Sequence, residues 1–247
     1  MPDESKPERG LQYWMERVLD ETEKARAGFE ADPVHDLRVA IRRCRSIADG
    51  FRMIDPHPAW KSMRAEGKTL FSALGDLRDV QVQMGWVEKL GVEGDPVRER
   101  LMQHFREREQ QLKSVAADVL TQFDRIHWQE WSSVLGQRAA QLPVGGEVFQ
   151  VIALERWIDA RKLHSIAMRN RSGAALHRVR IGIKKFRYIV ENFLPELHDA
   201  WIKDMKDIQD VLGEIHDLDV LSETARTIHA FSVKTMTPAQ LEKRKGV

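Results

Sequence analysis

The chain has 247 residues, of which 31% are charged and 7% are aromatic. Its 39 basic residues are almost balanced by 38 acidic ones, and the net charge of +1 excludes a protein that attracts polyanions by its overall charge. A single cysteine excludes an intramolecular disulfide. No apolar run approaches the roughly 18 residues of a membrane-spanning helix, and the N-terminus lacks the apolar core of a signal peptide. We therefore expect a cytoplasmic protein with no membrane partner.

Apolar residues recur at helical spacing along most of the chain, which predicts an all-α protein. No alternating run of β-branched residues predicts a strand. The first half is expected to contain helices at about 8–30, 34–51, 59–90, 97–122 and 127–140. After a boundary in the QLPVGGE stretch, the second half is expected to contain helices near 147–170, 174–193 and 196–230. These lengths suit antiparallel helical bundles.

Two segments carry the same basic pattern: VHDLRVAIRRCRSIADGF (34–51) and LHRVRIGIKKFRYIVENF (176–193). Offsets of 0, 3, 7, 8 and 10 from a histidine are basic in both. The residues are His35, Arg38, Arg42, Arg43 and Arg45 in the first segment and His177, Arg180, Lys184, Lys185 and Arg187 in the second. Four of the five offsets fall within about 80° of a helix surface, so a histidine and three cations form one stripe beside the apolar face.

Each basic stripe has few acids to neutralise it. Residues 177–190 include five lysines or arginines and no carboxylate. Like charges one helical turn apart destabilise a helix by a few tenths of a kcal/mol per pair. Such clustering therefore indicates an anionic partner outside the helix.

A second repeated element, of the form K-x6-G-[DE]-x2-D, follows each basic segment at 68–79 and 206–217. The lysine, the glycine and the final aspartate share one face of a helix. The glycine leaves room there for a close helix crossing or for a ligand, and the aspartate is interpreted as a partner that holds arginines of the preceding helix. The matching residues are Lys68, Gly75, Arg78 and Asp79 in the first copy and Lys206, Gly213, His216 and Asp217 in the second.

These motif pairs resemble those of the CHAD family, the conserved histidine α-helical domain. Its hallmark is a duplicated helix of the form H-x2-R-x3-[RK]-[RK]-x-R, followed by an element like LGDLRD (74–79) and LGEIHD (212–217). The resemblance implies two pseudo-symmetric antiparallel helical bundles, which an internal duplication would place at 8–142 and 147–232. The second bundle is expected to lack its last helix and so to expose an apolar face.

Members of that family bind inorganic polyphosphate and can localise to polyphosphate granules. The resemblance therefore implies a non-catalytic polyphosphate-binding protein with no cofactor and no metal. The implied binding set is His35, Arg38, Arg42, Arg43, Arg45, Lys68, His177, Arg180, Lys184, Lys185, Arg187 and Lys206. Supporting positions would be Gly75, Arg78, Asp79, Gly213, His216 and Asp217. One departure is that His216 stands where the first copy has Arg78.

A polyanion placed beside His35 and His177 is expected to raise the pKa of both imidazoles. Affinity should then rise as the pH falls toward about 6. It should also weaken with added salt, because binding releases counterions from the polyanion.

Nucleic-acid binding is the main alternative, because phosphate-binding stripes do not distinguish polyphosphate from DNA or RNA. Tyr188 is the only aromatic residue in the stripes that could stack on a base. No Asn or Gln stands among the basic residues to read base edges. Polyphosphate is therefore the favoured partner, and the nucleic-acid reading stays open.

A metal-dependent phosphohydrolase is a further alternative, suggested by the His-Asp pairs at 35/36 and 216/217. Adjacent residues on a helix point about 100° apart, so a metal site would need additional ligands. No HExxH or similar spacing supplies them. Catalysis is therefore the less favoured interpretation.

Overall fold

The computed structural model describes the backbone of residues 10–235 and the side chains of residues 10–228. This part of the chain contains eight helices and no strand, which confirms the all-α prediction. The helices are α1 (Leu11–Arg26), α2 (Ala31–Phe51), α3 (Ala59–Leu90), α4 (Pro96–Gln122), α5 (Arg125–Gln141), α6 (Glu147–Arg169), α7 (Gly173–Phe193) and α8 (Pro195–Thr235). None of the described helices is long and apolar enough to span a membrane. Residues 1–9, which contain the predicted start of the first helix, lie outside the described residues.

The predicted and observed helix boundaries differ most in the turn that connects α1 to α2. The first helix ends at Arg26 rather than near residue 30, because Phe29 adopts a positive φ of 54° that an α-helix cannot continue. The next helix begins at Ala31, just before the Asp32-Pro33 pair that is predicted to open it. Pro33 is compatible with this earlier start, since the first turn of a helix needs no backbone N–H donor there.

The helices pack in the same order in both halves of the chain. Helix α2 lies between α1 and α3, and α7 lies between α6 and α8. Helices α2 and α7 each have 21 residues. In the first half α4 packs on α3, and α5 returns to α1. This order agrees with the predicted duplication, while the two-fold relation and the domain boundaries at 8–142 and 147–232 stay predictions.

Helices α2 and α7 cross at their C-terminal ends, where an aromatic cluster joins the two halves. A Cβ atom on Gly50 would lie 2.2 Å from the Phe193 ring, so the crossing requires glycine at this position. The Phe193 ring stacks on Phe149 with 4.2 Å between centroids and meets Phe51 edge-on at 5.2 Å. All three rings are buried in one core that includes residues from both halves.

We expect Gly50→Ala to lower the free energy of unfolding by about 2 kcal/mol or more, because the added methyl group would overlap the Phe193 ring. Gly85→Ala is the matched control, since Gly85 lies in α3 with no atom within 4 Å of its would-be Cβ. That control should stabilise the protein by about 0.5 to 1 kcal/mol. Urea unfolding followed by tryptophan fluorescence measures both changes, and equal effects would contradict the close crossing.

Candidate anion-binding site

Lys184 lies at the centre of a group of cations supplied by two helices. Arg180 and Arg187 act on it from α7, and Arg42 and Arg38 act on it from α2. Burial and these four like charges lower the pKa of Lys184 to about 8. The structure thus brings basic residues from the two repeated segments together on one surface.

Arg38 is held in place by α3. Its Nη1 donates a hydrogen bond of 2.9 Å to the Phe71 carbonyl, and its guanidinium lies 4.2 Å from the centre of the Phe71 ring. Burial lowers the pKa of Arg38, while the Asp79 charge opposes that shift. Asp79, the predicted partner of this arginine, therefore acts on it through its nearby charge. The direct hydrogen bond of Arg38 is made to the backbone carbonyl of Phe71.

Gly75 provides the space that the Arg38 guanidinium occupies. A Cβ at Gly75 would lie 3.1 Å from Nη1 of Arg38. The sequence left two roles open for this glycine, a close helix crossing or space for a ligand. In the structure it gives space to an arginine of the neighbouring helix α2. A Cβ at Gly213 would meet no atom within 4 Å, so the same reason does not apply in the second copy.

Two guanidinium groups flank the ring of Tyr188. The guanidinium carbon of Arg42 lies 5.8 Å from the ring centroid, and that of Arg187 lies 5.9 Å away. Cation–π attraction between these groups stabilises the cluster. Tyr188, the one aromatic residue of the stripes that could stack on a nucleic-acid base, is half-buried and lies beside two arginines.

Glu191 joins two of the predicted binding arginines to each other. It forms an ion pair with Arg43 of α2, and its other carboxylate oxygen lies 3.4 Å from Nε of Arg187. Arg187 also donates a 2.6 Å hydrogen bond to Gln209 on α8. Although burial opposes ionisation, the two arginines hold the pKa of Glu191 below its usual range. Arg43 and Arg187 therefore connect helices within the protein. The spacing of four residues between Arg187 and Glu191 is the sequence signal that could have revealed this pair.

Arg45 is packed against α3. A Cβ on Gly67 would lie 3.3 Å from Cγ of Arg45, and the guanidinium lies 5.1 Å from the centre of the Phe71 ring. Burial and the nearby Arg64 charge lower the pKa of Arg45. Sequence reasoning missed Phe71, which supports both Arg38 and Arg45. The sequence signal for this role was an aromatic residue one helical turn before the repeated glycine, Gly75.

Three predicted binding residues lie away from the central cations. Lys185 is exposed and lines a shallow pocket with Arg156 and Lys162 of α6. Lys68 and Lys206 are exposed on α3 and α8. A role for these three lysines in binding stays a prediction.

His35 and His177 stand toward the N-terminal ends of the two basic helices. Partial burial, followed by the Arg78 charge, lowers the pKa of His35. Partial burial lowers the pKa of His177 as well, with the nearby His216 and Arg180 adding to the shift. The ring centroids of His177 and His216 are 4.7 Å apart. Without a bound polyanion the pKa of both histidines is thus lowered, whereas a bound polyanion is expected to raise it. The predicted gain in affinity on acidification should therefore occur at a lower pH.

The aspartates of the two repeated elements also come together. Burial and the charges of Asp76 and Asp217 raise the pKa of Asp79, although Arg38 opposes the shift. The Gln83 amide donates a 3.1 Å hydrogen bond to the Asp217 carbonyl and so links α3 to α8. In the described part of the chain, no three His, Cys, Asp or Glu side chains are grouped so that they could hold a metal ion.

Comparison with known proteins agrees with this architecture. The family model of the CHAD domain matches residues 10–226. The crystal structure of the CHAD domain from the plant Ricinus communis is similar, with a TM-score of 0.69 and 21% sequence identity over 94% of this chain and 86% of that chain. At this identity the structural likeness shows a shared helical fold. No curated protein matches the chain.

We expect Lys184→Met to raise the free energy of unfolding at pH 7 by about 1 kcal/mol, because it removes a half-buried charge from among four like charges. The folded-state pKa of about 8 lies below the ordinary lysine pKa of 10.5. The gain should therefore be complete below pH 8 and should disappear as the pH approaches 10.5. Lys185→Met, at an exposed neighbour, should change stability by less than about 0.5 kcal/mol. Urea unfolding at pH 7 and pH 10 measures the difference, and no gain at pH 7 would contradict the crowding of cations.

Proposed function

The chain belongs to the CHAD domain family, and from that premise we propose that it binds inorganic polyphosphate without catalysing a reaction on it. One observation carries the proposal: Lys184 of α7 is buried among arginines of both basic helices, and burial together with the charges of Arg180, Arg42, Arg38 and Arg187 lowers its pKa to about 8. Such crowding leaves an excess of positive charge that an anion can neutralise.

The chemistry of these side chains suits a linear phosphate polymer. Polyphosphate presents only anionic oxygens, with about one negative charge per repeat, so its recognition needs many charge-assisted donors and no base-reading groups. The arginine guanidinium forms paired hydrogen bonds to phosphate oxygens, and the lysine ammonium adds a compact charge. Ten residues separate His35 from Arg45, which gives the α2 stripe a length of about 15 Å. A surface of that length can contact several consecutive phosphates.

The half-buried state of Arg38 and Lys184 favours strong contacts. Ion pairs in partly desolvated surroundings are screened less by water and salt than pairs at the surface. A bound phosphate would also restore the fully charged form of Lys184. Part of the binding free energy should therefore come from relief of repulsion that already exists in the protein alone.

The proposal also covers the location of the protein in the cell and the lack of a catalysed reaction. Affinity for long polyphosphate chains would bring the protein to polyphosphate granules. The arginines of the surface stay protonated at neutral pH, so they can bind and orient phosphates but cannot act as general bases. Release of orthophosphate during a binding titration would overturn the non-catalytic part of the proposal.

The double variant Arg42→Glu/Lys184→Glu should weaken polyphosphate binding by at least about 100-fold, because two charge-assisted contacts of about 1.5 to 3 kcal/mol each are lost. Arg106→Glu/Arg108→Glu makes the same change in net charge at exposed positions of α4 and should retain most of the affinity. Calorimetric titration at physiological salt measures both, with circular dichroism to check helicity.

The same titration with single-stranded RNA and duplex DNA at equal charge concentration separates the proposal from its main alternative. Polyphosphate should bind more tightly than either nucleic acid. Equal or tighter binding of a nucleic acid would make nucleic-acid binding the better reading. No binding of any of the three polymers, or undiminished binding by Arg42→Glu/Lys184→Glu, would show that the function lies elsewhere.

Affinity for polyphosphate should fall about tenfold between pH 7 and pH 9, as Lys184 loses its proton with a pKa of about 8. Affinity falls with rising pH because the bound polyanion favours the charged lysine. Above pH 8, binding therefore takes up protons. Lys184→Arg keeps its charge over this range and should show a nearly flat profile. An equally steep profile for Lys184→Arg would mean that another group titrates.

A further inference from the structure

A shallow groove between α6 and α7 holds a second group of cations, beside the group centred on Lys184. Its volume is about 260 Å³, and it is bordered by Arg156 and Lys162 of α6 and by Lys185 of α7. The two helices approach closely here, since a Cβ on Gly182 would lie 3.3 Å from the backbone of α6. Their close approach brings cations of both helices to the rim of one groove.

The donors of these three side chains are unused in the part of the chain that the structure describes. Lys185 forms no hydrogen bond or ion pair with any described residue. Arg156 and Lys162 each lie 3.9 Å from the Asp159 carboxylate, which is beyond the range of a hydrogen bond. Three bases against one acid leave a net charge of +2 at the groove. The groove can therefore attract an anion.

The aligned repeats explain why Lys185 has no acidic partner. Lys185 matches Arg43 of the first copy, which forms an ion pair with Glu191. The residue that matches Glu191 is Asp49, and it is paired with Arg64 of α3. The same motif position thus joins two helices in the first copy and leaves a free ammonium group in the second.

We infer that a polyphosphate chain held at the central cations, which are Lys184 and the arginines around it, continues around α7 into this groove. Lys184 and Lys185 point about 100° apart, which corresponds to about 10 Å on the surface of a helix about 10 to 12 Å across. Ile181 lies between them on that surface and is 37% exposed. Residues 177–190 contain no carboxylate that would repel the chain. The inference rests on the proposed function.

The groove suits part of a polymer better than a separate small molecule. Its volume of about 260 Å³ lies below the roughly 300 to 1,000 Å³ of typical small-molecule pockets. The side chains of Leu163 and Ile181 in its lining are apolar and offer no hydrogen bond. Recognition therefore depends on the cations at the rim, which can neutralise any phosphates along a flexible chain.

A second contact with the same polymer strengthens binding even where that contact is weak by itself. Once the chain is held at the central cations, its free part has an effective concentration of about 1 mM near the groove. A groove contact with a dissociation constant of about 0.1 mM, which is ordinary for nonspecific binding of a polyanion, then raises the overall affinity about tenfold. Polyphosphates too short to reach both groups of cations do not gain this factor.

Calorimetric titration of the full chain with long polyphosphate and with pyrophosphate tests the inference. Arg156→Gln/Lys162→Gln removes two charges from the groove and should weaken the binding of chains of about 100 phosphates about tenfold. The affinity for pyrophosphate at the central cations should stay within about twofold, because neither substituted residue belongs to them. Arg106→Gln/Arg108→Gln, at exposed positions of α4, is the matched control and should leave both affinities unchanged.

Asp159→Asn should change the affinity in the opposite direction. It removes the one acid of the groove and should strengthen long-chain binding about two- to fivefold, the effect of one exposed ionic interaction. Pyrophosphate binding at the central cations should again stay the same. If the groove served only to pack α6 on α7, the two substitutions would not move long-chain affinity in opposite directions.

The possible results distinguish the inference from the proposed function. No binding of either ligand by the unaltered chain would overturn both. Long-chain affinity that does not respond to Arg156→Gln/Lys162→Gln would overturn the inference alone, as would an equal loss of affinity for long chains and pyrophosphate. Binding of a second pyrophosphate that this variant abolishes would assign the groove to a separate small anion, and would overturn the inference as well.

Discussion

Repulsion between the basic faces of α2 and α7 is the constraint on which the candidate site depends. Two helices with unneutralised cations would separate unless other contacts held them together. The crossing at Gly50 and Phe193 supplies apolar contact between the halves, and Asn192 donates a 2.8 Å hydrogen bond to Ser46 across the same boundary. Burial, together with the charges of four neighbouring arginines, lowers the pKa of Lys184 in the folded protein. Concentrated charge lowers the stability of the folded protein, which is the cost expected if this surface binds anions as proposed.

The arginines of the repeated pattern have different tasks in the folded protein. Arg43 is paired with Glu191 and helps to hold α2 against α7. Arg38 is oriented by the carbonyl and ring of Phe71 and still lies among the central cations. An arginine already fixed in one rotamer loses little entropy when it binds an anion, so such support favours affinity. One motif thus provides both the joint between the helices and the charges at the surface.

Some acidic residues of the repeated elements also gather at one place. Asp79 and Asp217 meet where α3 approaches α8, and their mutual repulsion contributes to the raised pKa of Asp79. Charges of one sign gathered at each place give the surface a strong local field despite a net charge of only +1. The local distribution of charge therefore matters more than its total.

The helices and their two faces could be predicted from the sequence, because helical periodicity depends on residues three or four positions apart. The repeated basic pattern likewise identified which side chains share a stripe on each helix. Only the tertiary structure decided which cations meet across the two helices. The proximity of the Lys184 and Arg42 charges, the pairing of Arg43 with Glu191 and the space at Gly75 for Arg38 all involve residues far apart in the chain. Such contacts follow from the angle and depth of helix crossings, which the period of a single helix does not specify.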